Sequence, residues 1–267
     1  MHTKEQKMAA FSRLLDIMDE LREKCPWDMK QTNESLRHLT IEETYELSDA
    51  ILKNDLQELK KELGDVLLHI VFYARIGSET GAYDIADVCN TLCDKLIKRH
   101  PHIYGDPNNA GELVKVENAE QVKENWEQIK LKEGNKSVLS GVAKGTPSLV
   151  KALRMQEKAA QVGFDWPTAE EVWAKVDEEL NELKAEFNHD YLTEKTEKEF
   201  GDFLFALVNL ARKFNINPDD ALEKTNLKFL QRFQFIEKQA GLMHKNLTDM
   251  TLEEMDSIWN EAKATGL

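Results

Sequence analysis

Phe11, Leu14, Leu15, Met18 and Leu21 recur at helical spacing with charged residues between them, which predicts an amphipathic helix over residues 5–24, stopped by Pro26. Cys25-Pro26-Trp27-Asp28 and Gln31-Thr32-Asn33 read as loop, and a second helix is expected from Thr40 to Leu52. Asn54 ends that helix, and Asp55 with Glu58 three residues later forms a capping box for a third. The third helix extends to Ile76 and is apolar after Asp65, so its second half is expected to be buried. Asp84 caps a fourth helix through Arg99, Pro101 closes it, and residues 101–111 read as loop.

The pattern then changes. Residues 112–131 read as a highly charged helix with few apolar anchors, either a bridge or a surface for a regulatory protein partner. A polar linker follows over 134–145, and Thr146-Pro147 supplies an N-cap with proline at the first helical position. Helices are predicted at 148–162, 168–187, 194–214, 219–240 and 248–264, with a turn near 188–193 and no counterpart of the last helix earlier in the chain.

This order of elements replays itself. Glu42-Glu43-Thr44-Tyr45-Glu46 precedes Glu62-Leu63-Gly64-Asp65, and Glu178-Glu179-Leu180-Asn181-Glu182 precedes Glu199-Phe200-Gly201-Asp202. Both read E-E-x-x-E, a spacer, then E-x-x-D, and the segments 61–75 and 198–212 agree at many further positions. So long a period marks duplication of a whole domain, because a solenoid repeat recurs within a few tens of residues.

Composition narrows the chemistry. A chain of 267 residues can hold two cores, and 31% charged residues with only 12 glycines and 6 prolines suits helix better than sheet. The formal charge of -14 argues against binding a nucleic-acid backbone. No apolar run approaches a membrane span and the first residues lack a signal peptide's apolar block, so a cytoplasmic protein is expected. Cys25, Cys89 and Cys93 form an odd set without a C-x-x-C; Cys89 and Cys93 read as semi-buried reduced thiols.

Residues three or four apart share a helix face, so Glu179 and Glu182 project together, as do Glu199 and Asp202. A short antiparallel connection would bring four carboxylates around one pocket, with Gly64 and Gly201 allowing close helix approach. Such acids repel one another unless a cation compensates, and an all-oxygen donor set selects Mg²⁺, with Mn²⁺ as the alternative. Glu43, Glu46, Glu62 and Asp65 form the corresponding set in the first repeat. Solvated surface acid is the bland reading of any one such pair, but both halves recur in both repeats beside apolar runs. A di-iron site would need Glu-x-x-His on each of two helices; Glu186 to His189 is the lone example and falls at a turn, and His69 has Ala206 as its equivalent.

Positive charge accompanies the acids: Lys175 one turn before Glu179, Lys198 beside Glu199, and Lys228 with Arg232 one turn apart. Beside magnesium such groups suit phosphate oxygens, and Trp166 and Trp259 are candidates to stack on a base. With no P-loop and no G-x-G-x-x-G, a nucleotide would be held by metal and side chains. Glu178, on the edge of the cluster, is the candidate general base.

These acid motifs, with Cys25-Pro26-Trp27-Asp28, Arg99-His100-Pro101-His102, Gly163-Phe164-Asp165-Trp166 and Val208-Asn209-Leu210-Ala211-Arg212, resemble the MazG family of the all-α NTP pyrophosphatase superfamily over nearly all of residues 8–265. The resemblance implies an all-α fold of two tandem MazG-like domains, 1–110 and 146–267, joined by a charged helix and linker at 111–145. Each would be an acid-lined antiparallel helix hairpin, its bundle completed by homodimerisation. It implies Mg²⁺-dependent hydrolysis of NTPs and dNTPs to a nucleoside monophosphate and pyrophosphate, mainly in the C-terminal repeat. Matched to the family pattern, Glu179, Glu182, Glu199 and Asp202 would ligate metal, and Lys175, Lys198, Lys228, Arg232 and Trp259 would surround the nucleotide. The first repeat has Leu39 where the second has Lys175, so turnover there would be poor. A non-catalytic regulatory scaffold and a narrower dUTPase-like nucleotidase are the competing readings.

Overall fold

Polar caps decide where most of the helices begin. The computed structural model describes residues 1–106, 111–132, 137–187 and 193–267, and the described residues are helix, turn and loop without strand. The chain divides into unit 1, Met1–Trp126, and unit 2, Glu127–Leu267.

In unit 1, Thr3 opens α1 (Lys4–Lys24) through a reciprocal box with Gln6. Helix α2 (Asn33–Leu52) starts well before Thr40, because the Thr32 and Ser35 hydroxyls accept each other's backbone amides at 3.2 and 2.8 Å where a loop was expected. Asn54 takes a left-handed φ of 54°, reversing the chain into α3 (Leu56–Glu79). Asp55 accepts from the Gln57 and Glu58 amides, but its own amide returns to the Ala50 carbonyl, so the Glu58 half of the expected box is not formed. Asp84 caps α4 (Ile85–Arg99). Pro101 does not lead into loop; its fixed φ opens a helical turn, α5 (Pro101–Tyr104).

The charged helix is shorter than its composition suggested. Helix α6 spans Ala119–Lys132, and 112–117 is not helical. The Val114 amide reaches the Pro101 carbonyl and the Asp106 amide the Glu112 carbonyl, while Asn118 accepts from the Gln121 amide and starts the helix there.

Unit 2 repeats the plan with α7 (Ser148–Ala160), α8 (Ala169–Phe187), α9 (Glu194–Lys213), α10 (Pro218–Leu242) and α11 (Leu252–Ala264). Pro147, not Thr146, occupies the cap position of α7, and no side chain caps it. Thr193, Asn217 and Thr251 cap α9, α10 and α11, with a 3-10 turn at Leu247–Asp249 delaying the last helix beyond residue 248. The expected turn over 188–193 lies, apart from Thr193, outside the described residues, as does His189 of the Glu186 pair.

Each hairpin packs its inner face and leaves its outer face bare. Met18, Leu36, Val71 and Phe72 form the core of unit 1; Val172, Val176, Ala206 and Leu210 form that of the α8–α9 hairpin. Ile236, Ala240, Met250 and Ile258 join α10 to α11. Only one face of the apolar half of α3 is buried. Leu63, Leu67 and Ile70 form an exposed stripe, and the equivalent Phe200, Leu204 and Leu207 do so on α9. Cys89 and Cys93 are exposed rather than semi-buried. Gly64 and Gly201 do not mark a close approach, since a Cβ at either would meet nothing within 4 Å. None of the described helices is long and apolar enough to cross a membrane.

Leu36 is 1% exposed at the centre of its cluster, so Leu36→Ala is expected to cost about 3 kcal/mol in urea denaturation followed by circular dichroism. A cost below about 1 kcal/mol would show that this position is not core.

Candidate functional site

The paired helices bring their acids face to face in each unit. In unit 2, Glu179, Glu199 and Asp202 each place a carboxylate oxygen within 4.8 Å of the others; in unit 1, Glu43, Glu46 and Glu62 do so. Glu179 and Glu199 are only 7% and 8% exposed, so the cluster lies at the head of the buried face, not on a solvated edge. Two expected ligands fall outside these groups. Glu182 is exposed, and Asp65 stands near enough to Glu43 to disfavour its ionisation. A set of oxygen donors this close, two of them buried, fits a hard divalent cation.

Lysine is threaded into the cluster. Lys175 Nζ lies 2.7 Å from Glu179 Oε1 and 3.0 Å from Glu178 Oε1, and those hydrogen bonds, Glu179 first, push its pKa up, so it stays charged. Glu178 is exposed and held by that one contact. Lys195, one turn before Glu199, was not singled out from the sequence; it pairs with Glu186, and Glu199 and Glu182 also help raise its pKa. Lys198, the residue expected there, is exposed. In unit 1 the acids oppose one another: burial first, then Asp65, Glu46 and Glu62, raise the pKa of Glu43, and Glu62 raises that of Glu46. Lys61, 2.9 Å from Glu62, lowers the pKa of Glu62.

Beside the unit 2 acids lies a cavity of about 400 Å³, with Lys175, Glu179 and Asp202 at its polar end and Val172, Phe205, Ala206, Phe164 and Trp166 among its apolar walls. Two buried amides, Gln156 and Asn209, also line it; Gln156 donates to the Phe205 carbonyl at 2.8 Å, and the Asn209 carbonyl oxygen accepts from Arg212. Gly163, at φ 87°, turns the chain from α7 into the cavity-wall segment. Asp165 of that segment is tied to Arg212, with Lys213 3.5 Å away, and Lys213 donates to the Trp166 carbonyl. Burial opposes ionisation of Asp165, but the hydrogen bond and charge of Arg212 outweigh it and hold the pKa below the usual carboxylate value.

Asp165, Asn209 and Arg212 fall within the motifs Gly163–Trp166 and Val208–Arg212, which mark the family in the sequence without revealing a role for them, whereas Trp166 of the first motif is the base-stacking candidate and lines the cavity. Gln156 carried no sequence signal, because one glutamine on an amphipathic helix is unremarkable. Lys228, Arg232 and Trp259 do not line the cavity. Arg232 lies over the Trp259 ring at 5.3 Å and donates to the Leu267 carbonyl, and the indole packs on Phe229. Lys228 is exposed.

Comparison with known proteins agrees with the repeated acid motif. Residues 31–104 match the model of the MazG nucleotide pyrophosphohydrolase domain. Over 264 residues the chain is 39% identical to a nucleoside triphosphate pyrophosphohydrolase of Escherichia coli (strain K12), covering 96% of this chain and 98% of that protein. Over 258 residues it is 43% identical to the nucleoside triphosphate pyrophosphohydrolase/pyrophosphatase MazG of Thermotoga maritima, covering 95% of each. It is 45% identical over 269 residues to the uncharacterized protein YabN of Bacillus subtilis (strain 168), covering 98% of this chain and 54% of that protein.

The Asp165 to Arg212 pair is largely withdrawn from solvent, so Asp165→Asn is expected to cost about 2 kcal/mol at pH 7 in thermal or urea unfolding. Because the folded pKa is depressed, this contribution is complete above the unfolded value near 3.8 and is lost as pH falls through the folded one. The gap between wild type and variant should therefore close in acid below about pH 4; a gap that stays constant there would refute the pairing.

Proposed function

The chain belongs to the MazG family, and we propose that it is a nucleoside triphosphate pyrophosphohydrolase that cleaves NTPs and dNTPs between the α and β phosphates, with Mg²⁺, mainly in unit 2. The observation that carries this reading is that two members of the Glu179, Glu199 and Asp202 cluster, Glu179 and Asp202, line the 400 Å³ cavity beside Lys175. Relatives named as such enzymes span both units.

On this reading Glu179, Glu199 and Asp202, with Glu182, would hold Mg²⁺, or Mn²⁺ in its place, which would neutralise phosphate oxygens and lower the pKa of an attacking water. Lys175 stays protonated between Glu178 and Glu179 and supplies a positive charge to the phosphates. Glu178, exposed beside Lys175, would take the proton from the attacking water. The apolar walls exclude water from the base, and Trp166, which lines the cavity, is better placed to meet it than Trp259. Lys198, Lys228 and Arg232 remain candidates for phosphate contact from outside the cavity. A homodimer would cover the apolar stripes on α3 and α9, and a cytoplasmic location is part of the proposal.

The test is product analysis on a panel of NTPs and dNTPs with Mg²⁺, comparing wild type with Glu179→Gln plus Glu182→Gln and with Glu43→Gln plus Glu46→Gln. Wild type is expected to yield monophosphate and pyrophosphate. The first pair should lower the rate by about a thousandfold, since a metal's contribution of several kcal/mol is at stake. The second pair should leave most of the turnover. Equal loss from both pairs in folded protein would sink the assignment to unit 2, and no pyrophosphate from any nucleotide would leave a binding scaffold instead.

A further inference from the structure

One polar group in the wall of the unit 2 cavity is left unanswered. Gln156, on α7, is 8% exposed and lines the cavity. Its neighbour fixes which way the amide is turned: the Phe205 carbonyl, 2.8 Å away, can only accept, so it must face Nε2. That leaves Oε1, which is buried and has no hydrogen-bond partner among the described residues. A buried carbonyl oxygen without a donor is costly, and in a cavity wall a bound donor removes that cost.

Asn209 adds a second amide from α9. It is 4% exposed and lines the same cavity. Its carbonyl oxygen accepts from Arg212 Nε and Nη2 at 2.9 and 2.7 Å, so what it can offer a ligand is its Nδ2 hydrogens. Asn209 stands two turns beyond Asp202 on α9, about 10 Å along the helix axis. Phe205 and Ala206, which lie between them and line the cavity, offer only apolar side chains. An extended nucleotide with its phosphates at Glu179 and Asp202 covers a comparable distance to the edge of its base.

We infer that Gln156 reads the base of the nucleotide: its Oε1 accepts a hydrogen bond from an N–H on the base edge, and Asn209 Nδ2 donates to the acceptor beside that N–H. The inference rests on reading the cavity as the nucleotide site. Every canonical base carries such a pair. Adenine and cytosine set an amino group beside a ring nitrogen; guanine, uracil and thymine set a ring N–H beside a carbonyl. The two amides therefore admit all of these bases and place the requirement on the N–H itself. A base stripped of it leaves Oε1 unpaired, and a site built to hydrogen-bond a group rejects the analogue that lacks it.

The experiment uses the full chain with Mg²⁺. It compares ATP with purine riboside triphosphate, which is ATP without its amino group, as substrates. It also compares AMP with purine riboside monophosphate as ligands in titration calorimetry. Wild type is expected to favour ATP in kcat/KM, through KM, and AMP in Kd, each by about tenfold or more. Gln156→Met, close in size and a poor acceptor, should bring both ratios near one by weakening the adenine nucleotide alone. Gln156→Glu, which keeps an acceptor there, should retain the preference. Wild type that treats the two bases alike overturns the proposal. So does a folded Gln156→Met that keeps the preference, or one that loses both substrates equally, as a glutamine with only a structural role would. No pyrophosphate release, together with a preference for AMP that Gln156→Met abolishes, would defeat the hydrolase reading and leave the base-reading glutamine standing. No binding of any nucleotide overturns both.

Discussion

Like charge held at close range in a poorly solvated place is the constraint on which the α8–α9 hairpin turns. Three carboxylates within 4.8 Å of one another, two of them almost fully buried, would drive the helices apart if nothing compensated them. Lys175 compensates one of them directly, from 2.7 Å. The hydrophobic face behind the acids, Val172, Val176, Ala206 and Leu210, supplies the opposing force by burying apolar area across the same two helices. Packing strength and site charge are therefore coupled on one element: the residues that hold the hairpin closed also hold the acids together.

The two units show what the acid motif specifies and what it leaves open. Both form the hairpin and bring three carboxylates together, because E-x-x-E and E-x-x-D fix which helix face carries acid, but from different members of the motif: Glu43, Glu46 and Glu62 in unit 1, Glu179, Glu199 and Asp202 in unit 2. The neighbouring volume depends on other positions. Ala206 and Asn209 leave a cavity of about 400 Å³, whereas His69 and Phe72 at the same places belong to packed interior. A duplicated domain can thus keep one geometry and diverge in what it admits through a few side-chain volumes.

Much of this was legible in the sequence, and the failures have local causes. Periodicity located the long helices, and the repeat located the acids. It missed the first turns of α2 because the Thr32 and Ser35 box uses two hydroxyls in place of the Ser/Thr and Glu pattern. It extended α6 backward to 112 because charge density resembles helix, while the backbone of Val114 pairs with Pro101. The glycines Gly64 and Gly201 suggested close packing, but among the described residues nothing lies within 4 Å of where a Cβ would stand. Most elusive was the cavity, since it is assembled from Val138 and Leu139, α7, the segment after it, α8 and α9, and no linear pattern records a void.

The charges around that cavity bear on the cofactor. Its lining carries Asp165, Glu179 and Asp202 against Lys175 and Arg212. Arg212 is already committed to Asp165, and Lys175 to Glu179 and Glu178. A polyphosphate brought to this end would meet carboxylates whose neutralising partners are spoken for, with Glu199 adding a further negative charge from within the cluster. Electrostatics alone would repel it. The lysine cannot serve both the acids and the substrate at full strength, so a nucleotide reading of the cavity carries with it the need for a cation. That need is greatest where solvent is least able to screen the acids, at Glu179 and Glu199, and it ties the proposed activity to the same buried pair that the hairpin core holds in place.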